Sequence, residues 1–250
     1  RAEARPTITG CNDMGALSTA NGRVYFVGAS ASRSGDIFRL DNGELTAFTD
    51  STPALDLANI SNPEPICFPT TDGHSAYGFF YPPTNASCQG PDSDKPPLIV
   101  MCHGGPTGAN CGVLNYKIQY WTSRGFALLD VNYRGSTGFG RQYREKLNLN
   151  WGLVDVADAA AGVDYLVAEN RVDPDRVIIR GSSAGGYTVL AALTFTDRFK
   201  AGASLYGIGD LETLARDTHK FEARYLSIAA DEVYAEAMRQ SSDPEDLSLK

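Results

Sequence analysis

Hydrophobic and polar positions change their rhythm once along this chain. Up to about residue 60 the apolar residues alternate with polar ones in short runs: "GRVYFVGAS" (22–30), then "DIFRL" and "LTAFT" on either side of Asn42-Gly43. Period-two alternation places successive side chains on opposite faces, and Asn-Gly supplies the positive φ a two-residue hairpin needs. This part therefore predicts a β-meander, with "SRSGD" (32–36) as a turn. The stretch 50–65, "DSTPALDLANISNPEP", is rich in turn residues and reads as a linker.

From Pro65 the rhythm is different. "PICFPTTDGHSAYGFFYPP" predicts two strands around a turn at Asp72-Gly73, and "NASCQGPDSDKPP" a polar loop. "LIVMC" (98–102) is apolar without alternation and runs straight into glycines, the pattern of a strand covered on both faces. A helix follows at "YKIQYWTSRG", ended by Gly125, and then the strand "FALLDVNY". "LVDVADAAAGVDYLVAEN" carries Val156, Ala160, Val163, Leu166 and Val167 at helical spacing. "DPDRVIIRGSS", "AGGYTVLAALTF" and "AGASLYG" give strand, helix and strand. Strands alternating with helices imply an α/β sheet with parallel neighbours. Neither tandem repeats nor low-complexity segments interrupt this order.

Charge narrows the partners. The 250 residues include 22 basic and 30 acidic side chains, a net charge of −8, which disfavours nucleic acid and anionic membranes as partners. No apolar run approaches the roughly 18 residues of a membrane span. Cys11, Cys67, Cys88, Cys102 and Cys111 are odd in number and irregular in spacing, so a reducing, cytoplasmic setting is the simpler expectation. The glycosylation-type triplets at Asn59 and Asn85 point weakly the other way. "RAEARP" at one end and "DPEDLSLK" at the other read as the edges of a piece of a longer chain.

The chemistry-bearing pattern is "RGSSAGG" (180–186). G-x-S-x-G fits Ser183, flanked by Gly181 and Gly185, and not Ser182, whose corresponding neighbours are Arg180 and Ala184. A serine at a sharp strand-to-helix turn needs such small neighbours, and the turn lifts its Oγ above the sheet. The same turn aims the N–H of Ala184 where a tetrahedral oxyanion would form. A glycine-rich packing turn fits the motif alone equally well, but an apolar strand before and a small-residue helix after are the setting nucleophilic chemistry requires. The glycine loop "HGGPTG" (103–108), after an earlier buried-type strand, is placed to give the second oxyanion donor, with Gly105 the candidate. His103 belongs to that loop and is expected to make a structural hydrogen bond rather than act as general base. "GSTGFG" (135–140) lacks the ending of a phosphate-binding loop, and His74, His103 and His219 form no metal-ligand pair. Neither a metal nor a cofactor is expected.

Several blocks in one order carry a resemblance: "HGGPTG", "VNYRGSTGFGRQYRE", "WGLVDVADAAAGVDYL", "RVIIRGSSAGGYTVLAAL" and "YGIGDLETLARDTHKFEARYL". Across roughly residues 65–226 the chain resembles the prolyl oligopeptidase family of serine peptidases, in its acylaminoacyl-peptidase and dipeptidyl-peptidase-like branch. The resemblance implies an α/β-hydrolase fold, incomplete at its C-terminus and preceded by antiparallel strands from the end of a β-propeller. The expected division is 1–60 for the propeller remnant and 61–250 for the start of the catalytic domain. It also implies Ser183 as nucleophile, Gly105 and Ala184 as oxyanion donors, and the "NYRGSTG" loop at the border of the site. The implied partner is a short peptide substrate, with self-association left open.

α/β-hydrolases order their triad Ser, Asp, His, the last two after later strands. Only His219 follows Ser183, in a helical-looking segment, and Asp197, Asp210 and Asp217 precede the place where the fold supplies its acid. The triad Asp and His are therefore expected beyond Lys250, and the 250-residue piece alone is expected to be inactive. A carboxylesterase on the same fold and a catalytically inactive scaffold are the alternatives. The sequence does not choose between release of a blocked residue, release of dipeptides and internal cleavage.

Overall fold

The computed structural model describes residues 10–49, 56–91 and 93–209. They form two sheets. The first is an antiparallel meander of β1 (Asp13–Ala20), β2 (Arg23–Ser30), β3 (Arg33–Asp41) and β4 (Glu44–Ala47), paired in chain order. Asn42 and Gly43 both take positive φ (48° and 90°) between Asp41 and its partner Glu44, the hairpin geometry the Asn-Gly signal predicts. The turn expected over residues 32–36 is shorter than the sequence suggests: β3 begins at Arg33, and Ser30 pairs with Arg33. Arg33 grips the buried carboxylate of Asp36 at 2.6 Å, so polar residues that read as a turn are held inside the strand.

The second sheet contains β5 (Glu64–Pro69), β6 (Ser75–Tyr81), β7 (Leu98–Cys102), β8 (Ala127–Asn132), β9 (Val177–Ser182) and β10 (Ala201–Leu205), in the order β10-β9-β7-β8-β6-β5. The four strands from β10 to β8 are parallel, and β6 and β5 add antiparallel at one side. Helix α1 (Tyr116–Thr122) packs on one face, while α3 (Val154–Ala168) and α4 (Ala184–Phe195) pack on the other; the short α2 (Arg141–Glu145) lies between β8 and α3. This is an α/β-hydrolase sheet preceded by propeller-type antiparallel strands. The meander meets the segment between β7 and α1, where the Leu114 N–H donates to Ser30 O at 2.7 Å.

The unbroken apolar run in β7 has a direct cause. Leu98, Val100 and Cys102 face the α3/α4 side, and Ile99 and Met101 face the α1 side. β10 forms as expected but is the edge of the sheet among the described residues and is exposed along its length.

Helix α3 departs from the apolar stripe its spacing suggests. Val156, Val163 and Leu166 are buried, but Ala160 and Val167 are only partly so, and the inward face also contains Asp155 and Asp158. Asp158 receives the Arg134 guanidinium (Nη2 at 2.8 Å) and the Arg134 backbone N–H at 2.7 Å, with both side chains essentially inaccessible. Thr70 also donates to Asp158 and Thr71 accepts from Arg134, so one buried ion pair ties the segment after β8 to α3 and to the β5–β6 turn. All five cysteines are free thiols. No described helix is long and apolar enough to cross a membrane.

Candidate active site

At the end of β9 the chain passes into α4 through Ser183, which has φ 55° and ψ −122° and is exposed. A non-glycine residue with that backbone is held there by its surroundings. The Ser183 N–H donates to Leu205 O at 3.0 Å, and its carbonyl accepts from the N–H groups of Gly186 and Tyr187. The flanking glycines are required by contact. A Cβ on Gly181 would overlap the Gly185 carbonyl, and one on Gly185 would drive into the carbonyl oxygens of Cys102 and His103. Ala184 opens α4, so its N–H has no acceptor within the helix and lies at the positive end of the helix dipole.

The loop after β7 closes on this turn. A Cβ built on Gly104 would stand 3.6 Å from Ser183 Cβ and 3.2 Å from Ser182 O. Gly105 is exposed with φ +133°, and a Cβ there would press on the Thr107 and Gly108 nitrogens at 2.7 Å each. The Gly105–Pro106 peptide is cis. Ser183, Ala184 and the 103–106 loop are thus assembled at one end of the parallel strands. Gly104, which the motif spacing did not single out, is the loop glycine whose added Cβ would reach Ser183 Cβ. The doubled glycine in "HGG" was the available signal.

His103 is engaged in structure. Its ring stacks on Tyr133 with centroids 4.3 Å apart, Nδ1 lies 2.8 Å from Gly104 O, and Nε2 lies 2.7 Å from Ser136 Oγ. Burial lowers its pKa, which favours the neutral ring, and the Ser136 hydroxyl beside Nε2 donates to Tyr133 O at 2.7 Å. Tyr133 OH lies within hydrogen-bond distance of the carbonyls of His103 (3.0 Å) and Pro106 (3.2 Å), buttressing the loop from below. His74 Nε2 faces Lys146 Nζ at 3.2 Å. Among the described residues no histidine is hydrogen-bonded to Ser183, and no group of three or more His, Cys, Asp or Glu side chains could hold a metal. Asp197 lies exposed beyond the C-terminal end of α4, away from Ser183. Asp210, Asp217 and His219 lie outside the described residues.

Two further carboxylates bear on the site, and nothing in the spacing flagged them. Asp155 accepts from Gly152 N–H at 2.6 Å and from the Thr188 hydroxyl at 2.5 Å, fixing α3 against the first turns of α4. Burial outweighs those bonds and pushes it up to about 6. Asp130, on the α1 face of β8, accepts from Asn110 Nδ2 at 2.7 Å; burial pushes it up to about 7.

Known proteins share this sequence pattern and this fold. The family model described as "Prolyl oligopeptidase family" matches residues 113–247. Dipeptidyl aminopeptidase BIII of Pseudoxanthomonas mexicana is 31% identical over 214 residues, covering 83% of this chain and 31% of its own length. A crystal structure of puromycin hydrolase superimposes with a TM-score of 0.88 at 37% identity, covering 94% of this chain and 36% of that one. The acylaminoacyl peptidase of Pyrococcus horikoshii gives 0.74 at 26% identity, covering 91% of this chain and 36% of its own. The chain therefore spans about a third of the length of these relatives.

Proposed function

The chain belongs to the prolyl oligopeptidase family, and on that premise we propose that it carries the nucleophile half of a serine peptidase acting on short peptides. Ser183 gives its proton to the general base and attacks the scissile carbonyl; the C–N bond breaks, the amine leaves with that proton, and water then hydrolyses the acyl-enzyme. The N–H groups of Ala184 and Gly105 hold the oxyanion, and one such donor is worth about 3 kcal/mol. The general base is a histidine oriented by an aspartate, both expected on residues of the full-length protein after Lys250, in the chain order of α/β-hydrolases. Residues 1–60 are read as the end of a propeller and 61–250 as the start of the catalytic domain. The relatives support peptide substrates: one is a dipeptidyl aminopeptidase and another an acylaminoacyl peptidase.

One observation carries the reading: an exposed Ser183 at positive φ, with its Cβ 3.6 Å from where a Cβ on Gly104 would stand. The test is hydrolysis by the full-length protein of aminoacyl and acylaminoacyl anilides beside simple aryl esters. Anilide cleavage that Ser183→Ala abolishes supports the reading. Cleavage of esters alone would make the protein an esterase, and anilide cleavage that survives the substitution would remove Ser183 from the mechanism.

A further inference from the structure

The 103–108 segment contains three glycines in six residues, Gly104, Gly105 and Gly108, and such a segment has a large backbone entropy to lose. A donor aimed at a developing oxyanion has to be held in place before the reaction, so something must fix this loop. Its upstream end is fixed by β7 and by His103. Its downstream end is fixed by a separate device.

Gly108 O accepts from Thr137 N–H at 2.9 Å. Two residues on, Asn110 is bound to β8 by its backbone N–H, its carbonyl and its side-chain amide nitrogen. Its N–H donates to Asn132 Oδ1 (2.8 Å), and its carbonyl accepts from Asn132 Nδ2 (3.1 Å). Its Nδ2 donates to Asp130 Oδ1 (2.7 Å) and to Val131 O (3.3 Å). Asn132 and Asp130 are buried, on a strand locked between β7 and β6, so the anchor is rigid. The loop is also folded on itself: a Cβ on Gly105 would meet the nitrogens of Thr107 and Gly108, and one on Gly108 would meet Gly104 O at 2.8 Å. Displacing residues 108–110 therefore displaces 104–105, and with them the backbone beside Ser183.

We propose that Asn110 is a positioning residue, clamped by Asn132 and Asp130, that holds the Gly104–Gly105 peptide groups against Ser183. The assignment rests on Ser183 being the nucleophile. An interaction that matters only when negative charge develops on the carbonyl oxygen lowers kcat and leaves KM nearly untouched when it is lost. The titratable groups that feel the charge of Asp130 are Tyr81 on β6 and Cys111 in the loop, with Asp13 near it, and, from the opposite face of the sheet, Cys102 on β7. No cation is paired with Asp130 among the described residues.

The test uses full-length protein, steady-state kinetics on a cleaved anilide, the labelling rate with a fluorophosphonate, and thermal unfolding. Asn110→Ala is expected to lower kcat by roughly 10- to 100-fold with KM within about twofold, and to slow labelling in parallel. Asn110→Asp sets a second carboxylate against Asp130, so its loss of kcat is expected to deepen as pH rises from 5 to 8. Exchanging the partners, as Asn110→Asp with Asp130→Asn, restores one amide and one carboxylate and is expected to recover about tenfold of the rate lost at pH 8. A folded Asn110→Ala protein with unchanged kcat, or an exchanged pair no better than Asn110→Asp, overturns the clamp. If Asn110→Ala does not fold, the exchange decides alone. A wild-type protein that neither labels nor turns over overturns the Ser183 reading, and this role of Asn110 with it.

Discussion

Ser183 Cβ stands 3.6 Å from the point where a side chain on Gly104 would begin. The Ser183 turn and the glycine loop are therefore in van der Waals register. Gly104→Ala has room after a small shift, because its nearest contact is Ser182 O at 3.2 Å and its backbone is not in the left-handed region. The account expects stability within about 1 kcal/mol of wild type and a drop in kcat of roughly tenfold or more, as the methyl intrudes beside the reacting carbonyl. Thermal unfolding and steady-state kinetics on the full-length protein separate the two effects.

Gly185→Ala is expected to behave oppositely. Its Cβ meets two backbone carbonyls, Cys102 O and His103 O, which cannot rotate away. Stability should fall by about 3 kcal/mol, read by urea unfolding, and activity should be lost with the fold of the turn.

Arg134 and Asp158 form a buried pair whose partners are 2% and 0% exposed. Removing one side leaves an uncompensated buried charge. Arg134→Ala is expected to cost about 3–5 kcal/mol in denaturant unfolding, far more than Arg176→Ala, whose ion pairs with Asp94 and Asp173 are on the surface.

These three cases also show what was legible in the sequence. Continuous apolar runs revealed β7 and β8, and alternation revealed the meander, because burial on two faces or one leaves a periodic trace. Ser183 and its glycines were legible because the turn admits little else. Asp130, Asn132, Arg134, Asp155 and Asp158 were not. Each is satisfied by a partner far along the chain, as Thr70 is for Asp158 and Thr188 for Asp155. A hydrogen bond across 88 or 33 residues imposes no spacing that can be read locally. The apolar spacing of α3 includes the half-buried Ala160 and Val167 for the same reason: nothing local marks Asp155 and Asp158 as inward-facing.

Buried groups give the stability a pH dependence whose sign can be worked out. Asp130 and Asp155 have folded-state pKa values of about 7 and about 6, above the ordinary 3.8. Between those limits the folded state binds more protons than the unfolded one, so their contribution to stability falls as pH rises from about 4 to about 7. Asp130→Asn is expected to gain on wild type in melting temperature at pH 8 and to lose that advantage at pH 5. Equal differences at the two pH values would contradict the assignment.

His103 works in the other direction. Burial lowers its pKa below 6.5, so the unfolded state binds the proton more readily, and its contribution to stability falls as pH drops through 6.5. His103→Gln is expected to flatten that acid-side decline in melting temperature between pH 7 and 5.

The central claim is that the hydroxyl of Ser183 is the group that attacks. Reaction of the full-length protein with a fluorophosphonate, followed by proteolysis and peptide mass mapping, tests it most directly. The account predicts a single phosphonyl adduct on Ser183, absent from Ser183→Ala protein. An adduct on Ser182, or labelling that persists in Ser183→Ala, would contradict it.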